Sequence, residues 1–561
     1  MKFQTNPSPF LVALLVCVAS ANVGLSMQAG ADANNSDLAS VGLVVHWQSN
    51  IGGAPLANGA QSFVLWSHTK EKREYVTVRN SPKEHNRIVI KSEVLGLPVG
   101  SIGVVTKVIQ DGARFEVEFA DAKGKVLGSL TMDAKDVSPV DTRIIERIRG
   151  EEIDLIALNY SISNGEKLAK PPRLGLDGAK KKAEKLVGTY QTLGRKLDVE
   201  EYSQQLVYAV SLTTNGIVEC MDAETGGVIW RTEAGKSSLP MFGPGVSDDY
   251  VVVTNGSTLY VYELATGNIV TSRKLIATPT ACPTVLQDKA IVPSVDGRLV
   301  AYDIRDPLTA PAVLRCGTEN RLGMTISANH QFMSWPTGNR LVMAKMDKVP
   351  SLWNNISINE PIYSLSVATQ KGFLTSTVAG TVFHCSTGRD DSLLWKSRLA
   401  VQVSKSPLVN KDLGFVLSDE SFLFALNLTD GVDAWGHQPN NVRDLVAVGK
   451  KHVYAQDSRK SLVLFDLTTG TESGRTNLIL PDVITNSVND RLLFVTKQGQ
   501  VTCLREIDAT FPTFATVFSG ETIAPAKPSK PEATPAKPLE EDMNIFGGAG
   551  AAETEDIFKN P

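Results

Sequence analysis

The chain has 561 residues, of which 42% are hydrophobic and 21% are charged, as in an ordinary globular protein. Its 56 basic and 60 acidic side chains leave a formal net charge of −4 at pH 7. Because this balance provides no overall basic field, we expect no nucleic-acid partner.

The first 21 residues have the pattern of a secretory signal peptide. Lys2 precedes a short apolar run at residues 10–18, and Ala-Ser-Ala at 19–21 provides a cleavage site. The run is too short to span a membrane, and Cys17 lacks the small preceding residue that lipid attachment usually requires. We therefore expect cleavage near Ala21 and a soluble, exported protein of the periplasm or cell envelope, without a transmembrane span.

Residues 32–95 form a β-rich segment in this prediction. Three strand-like runs, at residues 42–47, 62–66 and 75–78, are bounded by Asn and Gly turns. We expect this lead-in module to pack on the larger domain that follows.

Residues 96–141 contain a hairpin signal. Asp111-Gly112 separates two alternating runs, residues 103–108 and 115–119, as expected of a tight turn between strands. The stretch resembles a small SH3-like barrel, whose function the residues leave open.

Residues 142–195 are predicted to form a helical linker. Asp177 is a candidate cap for a helix in which Ala179, Ala183 and Leu186 share one face. The run Lys180–Lys182 is interpreted as a solvated face, and the alternative is a contact with an anionic partner.

One strand pattern recurs along residues 196–518. Its eight copies are 39 to 42 residues apart and are centred on Val218, Leu259, Leu299, Leu341, Val382, Leu423, Leu462 and Val501. A period of about 40 residues built from short strands is typical of propeller blades, and strands that are apolar on both sides indicate sheets covered on both faces. We predict an all-β protein whose main domain is an eight-bladed β-propeller, with residues 197–202 supplying the inner strand of the first blade.

A turn and an aromatic ring accompany the repeat. Glycines follow the strand at one fixed position, where a tight turn requires a positive φ, and tryptophans occur a few residues later. We expect the rings to fill the gaps between neighbouring sheets, and the alternative is stacking on a ligand. These repeat positions are Gly226, Gly267, Gly431, Gly470, Trp230, Trp353, Trp395 and Trp435.

Five cysteines follow the signal peptide, so at least one is unpaired in an oxidising compartment. Cys220 and Cys503 occupy the same position in the first and last repeats. We expect both to be buried core residues, because neighbouring sheets pack about 10 Å apart and a disulfide needs closer α-carbons.

The segment from Val207 to Trp230, with Asp222-x-x-Thr-Gly-x-x-x-Trp230 at its end, resembles the repeat of the PQQ-like, or quinoprotein-type, β-propeller family. That family includes quinone-dependent alcohol dehydrogenases and the non-catalytic propeller of the outer-membrane β-barrel assembly machinery. The resemblance implies that a dehydrogenase would carry an adjacent cysteine pair, a stacking tryptophan, calcium-binding carboxylates and a catalytic aspartate. No two cysteines are adjacent in this sequence, so we expect no catalytic, cofactor-binding or metal-binding residues and no cofactor.

His384 is the one strongly polar residue at its inward repeat position. We interpret it as a buried, hydrogen-bonded side chain, and the alternative is a ligand or a general base.

Residues 519–561 are predicted to be a disordered tail. Two Pro-Ala-Lys-Pro units favour an extended spacer, and two acidic segments then end in Ile-Phe at Phe546 and Phe558. We interpret these phenylalanines as candidate partner-binding residues, and the alternative is a solvated tail.

Prolines near the start of the presumed innermost strands place Glu360, Lys405, Arg443 and Asp444 at the mouth of the propeller channel. We therefore predict a non-enzymatic scaffold, peripherally associated with the cell envelope, that binds protein partners through the propeller face and the tail. One alternative is a divergent quinone- and calcium-dependent oxidoreductase. Another is a propeller that binds a polysaccharide or a small molecule.

Overall fold

The structure is a computed structural model that describes residues 37–514, with gaps at 57–61, 82, 91–101, 111–112, 121–125, 140–143, 151, 165–171, 193–196, 318–320, 348, 389–391, 508 and 510. The predicted signal peptide, the tail with Phe546 and Phe558, and the Asp111-Gly112 turn lie outside the described residues. No helix in the described part of the chain is both long and apolar enough to cross a membrane.

The N-terminal part begins with a short helical turn at residues 37–40 and contains most of the irregular topology. Its elements are β1 (Leu43–Asn50), β2 (Phe63–Asn80), β3 (Arg87–Ile90), β4 (Ile102–Ile109), β5 (Arg114–Ala120), β6 (Val126–Asp133), a 3-10 turn (Ala134–Asp136), β7 (Val137–Pro139), β8 (Ile144–Arg149), α1 (Leu155–Ser163), α2 (Gly175–Gln191), β9 (Leu197–Leu212), β10 (Ile217–Asp222) and β11 (Val228–Glu233).

Each repeat strand lies in an antiparallel sheet of its own, and we number these sheets as blades in chain order. Blade 1 has the order β11-β10-β9-β2, with β8 added beyond β2. The strands of blades 2 to 4 are β12 (Met241–Val246), β13 (Tyr250–Asn255), β14 (Thr258–Glu263) and β15 (Ile269–Lys274); β16 (Thr284–Leu286), β17 (Lys289–Pro293), β18 (Arg298–Asp303) and β19 (Ala312–Arg315); and β20 (Thr325–Ile326), β21 (Phe332–Thr337), β22 (Arg340–Met346) and β23 (Pro350–Ser357).

The strands of blades 5 to 7 are β24 (Val367–Ala368), β25 (Gly372–Ser376), β26 (Thr381–Ser386) and β27 (Leu393–Arg398); β28 (Leu408–Val409), β29 (Leu413–Leu417) and β30 (Leu423–Asn427); and β31 (Val442–Val448), β32 (His452–Asp457), β33 (Ser461–Asp466) and β34 (Glu472–Ile479). Blade 8 has the order β1-β37-β36-β35, with β35 (Asp482–Ile484), β36 (Leu492–Val495) and β37 (Gln500–Glu506).

The core consists of the layers between neighbouring blades, as strand β18 illustrates. Leu299 and Ala301 pack in a cluster with residues of blade 4, whereas Val300 and Tyr302 pack in a cluster with residues of blade 2. Alternate side chains of a strand point to opposite faces, so the apolar pattern on both sides follows from burial between two sheets.

The first strands of the blades lie innermost, because those of neighbouring blades contact one another. Strand β12 contacts β2 and β16, and β31 contacts β28 and β35. Residues that begin these strands therefore lie around the central channel.

The N-terminal strand β1 completes the last blade. It pairs antiparallel with β37, from Leu43 opposite Glu506 to Asn50 opposite Gln500. The sequence interpretation placed these residues in a separate lead-in segment. The observed pairing differs from that interpretation for a physical reason. The three other strands of the blade leave an open sheet edge, and a distant part of the chain can pair with that edge as well as a nearby one.

The prediction that residues 197–202 form the inner strand of the first blade is wrong. Residues 63–67 of β2 take that place and pair with residues 207–211 of β9. Beyond an irregularity between Ser67 and Lys72, both strands continue out of the blade, and residues 197–202 pair there with residues 75–80.

The long β2–β9 ribbon carries an insert between the first two strands of blade 1. Strand β8 extends the ribbon, and α2 packs on it through Ala179 and Ala183, which are fully buried against Val76, Val78 and Ile148. The remaining strands of the insert form a five-stranded sheet with the order β6-β5-β4-β3-β7. This sheet begins at Arg87, within the range predicted as the lead-in, and the domain limits drawn from the sequence stay predictions.

Tryptophans lie at five seams between blades. At each seam the indole N–H donates to a carbonyl oxygen of the next blade: Trp47 to Ala223 (3.0 Å), Trp230 to Leu264 (2.6 Å), Trp353 to Thr387 (2.9 Å), Trp395 to Leu428 (2.8 Å) and Trp435 to Leu467 (3.1 Å). Four of these rings lie against a turn glycine with positive φ: Gly226, Gly267, Gly431 and Gly470. At these four seams a blade is thus fastened to the next by a ring, a hydrogen bond and a glycine that leaves room for the ring.

Candidate functional site

A cluster of charged side chains joins blades 6, 7 and 8 at the start of their inner strands. Lys405 lies in the connection that leads into β28, and its Nζ donates to Asp444 Oδ1 at 2.8 Å and contacts the carbonyl oxygen of Arg443. Arg443 Nε lies 3.2 Å from Asp444 Oδ2. The structure therefore brings three of the four predicted channel-mouth residues together.

Lys460 and Asp482 extend this cluster. Lys460 Nζ donates to Asp482 Oδ1 at 2.6 Å, and Asp482 begins β35 of blade 8. The hydrogen bond from Lys460, with the charges of Arg443 and Lys497, holds the pKa of Asp482 below its ordinary value. We call Lys405, Arg443, Asp444, Lys460 and Asp482 the mouth cluster.

The mouth cluster is accessible and carries more positive than negative charge. Its side chains are between 32% and 48% exposed. Three cations face two carboxylates, so the cluster can offer both signs of charge to a partner, with one cation in excess.

Glu360, the fourth predicted mouth residue, bonds within blade 5 instead. It lies in the connection between β23 and β24 and accepts a hydrogen bond from Thr377 Oγ1 at 2.5 Å. Burial acts to raise its pKa, but hydrogen bonds from Thr377 and Thr381 outweigh that effect and lower it. The described contacts of Glu360 do not include a member of the mouth cluster.

A second group, which the sequence interpretation missed, joins blades 1, 2 and 4. Trp66 of β2 donates its Nε1–H to Asp248 Oδ1 at 2.9 Å, and the backbone N–H of Thr69 donates to the same oxygen at 3.1 Å. The Trp66 ring packs edge-on against His330, with centroids 5.3 Å apart. Asp248 and His330 lie in the turns after the first strands of blades 2 and 4. Trp66 thus reaches a blade that is not its neighbour.

Burial affects both polar members of this group. It acts to raise the pKa of Asp248, but hydrogen bonds from Thr69 and Trp66 outweigh it and lower the pKa. Burial also lowers the pKa of His330. Trp66 lies outside the repeat positions Trp230, Trp353, Trp395 and Trp435, but Trp47 and Trp335 do as well, so the sequence carried no signal that singled it out.

A buried ionic network fastens blade 8 to blade 1. Arg491 donates from Nε and Nη2 to the two carboxylate oxygens of Glu224, at 3.2 and 3.1 Å, and from Nη1 to Asp490 at 3.1 Å. His46 Nε2 lies 3.1 Å from Glu224 Oε1. The side chains of Arg491 and Glu224 are only 2% and 7% exposed.

The pKa values within this network follow from its partners. Burial acts to raise the pKa of Glu224, but the hydrogen bond from His46 and the charge of Arg491 outweigh it, so the pKa is lowered. For Asp490 burial prevails and raises the pKa, despite Arg491. The network holds its charges inside the protein because the bidentate pair satisfies Arg491 and Glu224 together.

His384 is a buried, hydrogen-bonded residue, as its position predicted. It is 1% exposed, its Nε2 lies 2.7 Å from Thr369 Oγ1, and its Nδ1 lies 3.0 Å from the Leu428 carbonyl oxygen. The carbonyl requires a proton on Nδ1, so Nε2 of the neutral ring accepts from the threonine hydroxyl. Burial lowers the pKa of His384 to about 4.

The remaining predicted positions lie in the framework. The repeat tryptophans and glycines are at the seams, and Cys220, Cys385 and Cys503 are buried and unpaired. Within the described ranges, no three His, Cys, Asp or Glu side chains converge as they would in a metal site.

The repeated sheets, their innermost strands and their tryptophan seams define the protein as a β-propeller. A family model described as outer membrane protein assembly factor BamB matches residues 214–310 and 348–510. These two segments are therefore similar to PQQ-like propeller repeats, the family that the Asp-x-x-Thr-Gly-x-x-x-Trp pattern resembles. A count of eight blades remains a prediction.

Two solved structures are similar to parts of the chain. The crystal structure of BamB from Moraxella catarrhalis is 16% identical, with 53% of this chain and 91% of that chain covered and a TM-score of 0.44. The computationally designed protein Ika8 is 16% identical, with 53% and 92% covered and a TM-score of 0.38. No curated protein matches the chain.

Proposed function

We propose that the protein is an exported, non-enzymatic scaffold that binds other proteins in the periplasm or cell envelope. The observation that carries this proposal is the mouth cluster, in which half-exposed charges from three blades meet beside the central channel. The match to a family model described as an outer membrane assembly factor supports the same class of function.

The cluster is better suited to recognition than to holding the blades together. Ion pairs between half-exposed side chains contribute little to stability, usually less than about 1 kcal/mol. The same charges, arranged across an accessible surface, select a partner by complementarity and accelerate its encounter. Because cations exceed carboxylates in the cluster, the complementary surface carries an excess of carboxylates.

The tail supplies a second contact in this proposal. Phe546 and Phe558 each follow an acidic segment beyond a proline-rich spacer, a composition typical of short motifs that order on binding. The spacer would let the tail and the mouth cluster engage different partners.

A pull-down from cell-envelope extract tests the mouth cluster. The mature chain is compared with the charge-reversal variant R443E/D444K and with the matched control D296K/R298E, which reverses an ion pair of similar exposure in blade 3. We expect R443E/D444K to lose a partner that the control retains. Identical partners for all three proteins would refute the role of the cluster.

A truncation after Gly520 tests the tail in the same extract. Partners lost only from the truncated chain would be assigned to Phe546 and Phe558, and full retention would leave the tail as a spacer. Single phenylalanine-to-alanine variants then distinguish the two motifs.

Export and the absence of catalysis are tested separately. Fractionation and N-terminal sequencing should find a mature chain that begins just after Ala21 outside the cytoplasm. Dye-linked alcohol oxidation after addition of calcium and the quinone should give no turnover. A cytoplasmic, uncleaved chain would contradict export, and turnover would contradict a non-enzymatic scaffold.

A further inference from the structure

One large aromatic side chain lies exposed next to the mouth cluster. Tyr363, in the connection that leads into β24 of blade 5, is 62% exposed. Among the described residues, none forms a hydrogen bond, an ion pair or a ring contact with its side chain. A tyrosine of this kind is a common anchor of protein interfaces, because its rigid ring offers a large contact area at a low entropic cost.

Backbone hydrogen bonding holds Tyr363 beside Lys405. The N–H of Leu365, which follows Tyr363 closely in the chain, donates to Ser406 Oγ at 3.0 Å, and Ser406 directly follows Lys405. The connections into blades 5 and 6 therefore run side by side, with Tyr363 in one and Lys405 in the other.

The turn between β25 and β26 joins the same two connections a second time. Val378 N–H donates to the Pro361 carbonyl oxygen at 2.9 Å, and Val403 N–H donates to the Val378 carbonyl oxygen at 3.3 Å. Because Pro361 and Val403 lie just before Tyr363 and Lys405, the backbone that carries these two side chains is fixed. Tyr363 thus extends the mouth cluster into blade 5, and we call the enlarged group the mouth surface.

The two faces of the propeller differ in charge. The third strand of each blade begins on the face of the mouth surface and ends on the opposite face. Within the described sheets no third strand begins with a carboxylate, and two begin with an arginine, Arg298 and Arg340. Five third strands end with a carboxylate, at Asp222, Glu263, Asp303, Asp466 and Glu506. An acidic partner is therefore attracted to the face of the mouth surface and repelled by the opposite face.

We propose that the mouth surface binds an extended acidic segment of a partner protein, in which an apolar side chain lies next to the carboxylates. The carboxylates pair with Lys405, Arg443 and Lys460, and the apolar side chain packs on the ring of Tyr363. A lysine has three N–H donors and an arginine has five, which is more than the described pairs with Asp444 and Asp482 use.

The two carboxylates of the mouth surface favour a peptide over a uniformly charged polyanion. Asp444 and Asp482 lie among the cations and would repel a ligand that is negative along its whole length. A peptide segment also carries backbone N–H groups and apolar side chains, which can lie opposite these two carboxylates and Tyr363.

This inference rests on the proposed scaffold function and adds the chemistry of the partner. The pull-down described above detects a partner of any kind, whereas binding of a defined peptide detects only an acidic segment. Failure of one proposal is therefore distinguishable from failure of the other.

Fluorescence anisotropy with labelled synthetic peptides tests the inference on the full mature chain. The probe is Gly-Glu-Asp-Glu-Phe-Glu-Asp-Gly. One comparison peptide carries serine in place of phenylalanine, and the other carries lysine in place of every carboxylate residue. We expect the probe to bind, the serine peptide to bind about tenfold more weakly and the lysine peptide not to bind.

The variant Y363A tests the aromatic contact. It should weaken binding of the probe about tenfold and change binding of the serine peptide little, because both changes remove the same contact. The matched control is Y160A, which removes a tyrosine of similar exposure (68%) from helix α1 and should bind the probe like the parent chain.

The variant K405E/K460E tests the electrostatic contact. It should weaken binding of the probe and of the serine peptide about tenfold or more. The control K181E/K185E makes the same change in net charge at two exposed lysines of α2 and should bind like the parent chain. Circular dichroism confirms that each variant is folded.

The inference is overturned if the probe does not bind, if the lysine peptide binds equally well, or if Y363A or K405E/K460E binds like its control. A partner lost from R443E/D444K in the pull-down, without any binding of the probe, would leave the proposed scaffold function standing and overturn only the acidic partner.

Discussion

The indole ring of Trp47 lies directly against Gly226, so that a Cβ atom on Gly226 would come within 2.5 Å of the ring. The indole N–H donates to the carbonyl oxygen of Ala223 in the same turn. Trp47 belongs to the N-terminal strand of blade 8 and Gly226 to blade 1, so this contact fastens the last blade to the first. It repeats the contact between Trp230 and Gly267, one seam further along.

Substitution of Gly226 by alanine should destabilise the propeller by about 2–4 kcal/mol. Overpacking against the ring costs about 1–3 kcal/mol, and the φ of +68° adds about 1 kcal/mol for a residue with a Cβ. Gly436 is the matched control, because it has a φ of +69° but nothing within 4 Å of its Cβ position. The urea midpoint of G226A should lie well below that of G436A. In a W47A background, G226A should lose only the stability that the positive φ costs, because the ring is absent. Equal urea midpoints for G226A and G436A would show that the Trp47 ring moves aside without loss of stability.

Loss of Arg491 should destabilise the same junction more than loss of an exposed arginine. R491M leaves Glu224 and Asp490 buried without their cation, which costs about 3–5 kcal/mol. R443M, in an exposed ion pair of the mouth cluster, should cost less than about 1 kcal/mol. The double variant R491M/E224M should recover part of the loss, because the orphaned Glu224 charge is removed. Similar unfolding midpoints for R491M and R443M would contradict this account.

Burial of His384 should make the protein less stable as the pH falls from about 6.5 towards 4. The pKa is about 4 in the folded protein and about 6.5 in the unfolded chain, so between these values only the unfolded chain binds the proton. The free energy of unfolding that the neutral His384 ring provides at neutral pH should therefore be smaller by about 2 kcal/mol at pH 5. Urea midpoints at pH 7 and pH 5 measure this, and H384Q serves as the non-titrating control. If H384Q and the parent chain lose stability equally between the two pH values, the histidine is not responsible.

Phe511 should hold the base of the insert to the propeller. Its ring stacks on Tyr202 of β9, with centroids 3.8 Å apart, and packs against Tyr75 of β2 at 5.5 Å. The neighbouring backbone is fixed to blade 8, because Thr513 N–H donates to Asp490 Oδ2 at 3.0 Å. F511A should therefore accelerate hydrogen exchange in residues 72–80 and 197–205, while the blade interiors keep their protection. A chain cut after Gly520 retains Phe511 and should exchange like the parent. Unchanged exchange in F511A would show that the insert is held by other contacts.

The sequence by itself determined the propeller, because a blade strand that is buried on both faces must repeat its apolar pattern. Leu299 to Tyr302 are apolar on both sides for that reason, and the turn glycine and the tryptophan recur because four seams share the same fit. It also identified His384 as a buried residue and Lys405, Arg443 and Asp444 as neighbours of the channel. These features depend on local spacing, which a single sequence displays.

Only the tertiary structure decided which distant segments meet. Three contacts join residues that are far apart in the chain: β1 pairs with β37, Trp66 packs beside His330, and Arg491 forms a buried ion pair with Glu224. An open sheet edge or a buried charge specifies what kind of partner it needs but not where along the chain that partner lies. The mouth cluster shows the same division. The sequence pointed to Lys405, Arg443 and Asp444 but not to Lys460 or Asp482, and the ion pair between Lys405 and Asp444 exists only because blades 6 and 7 are adjacent.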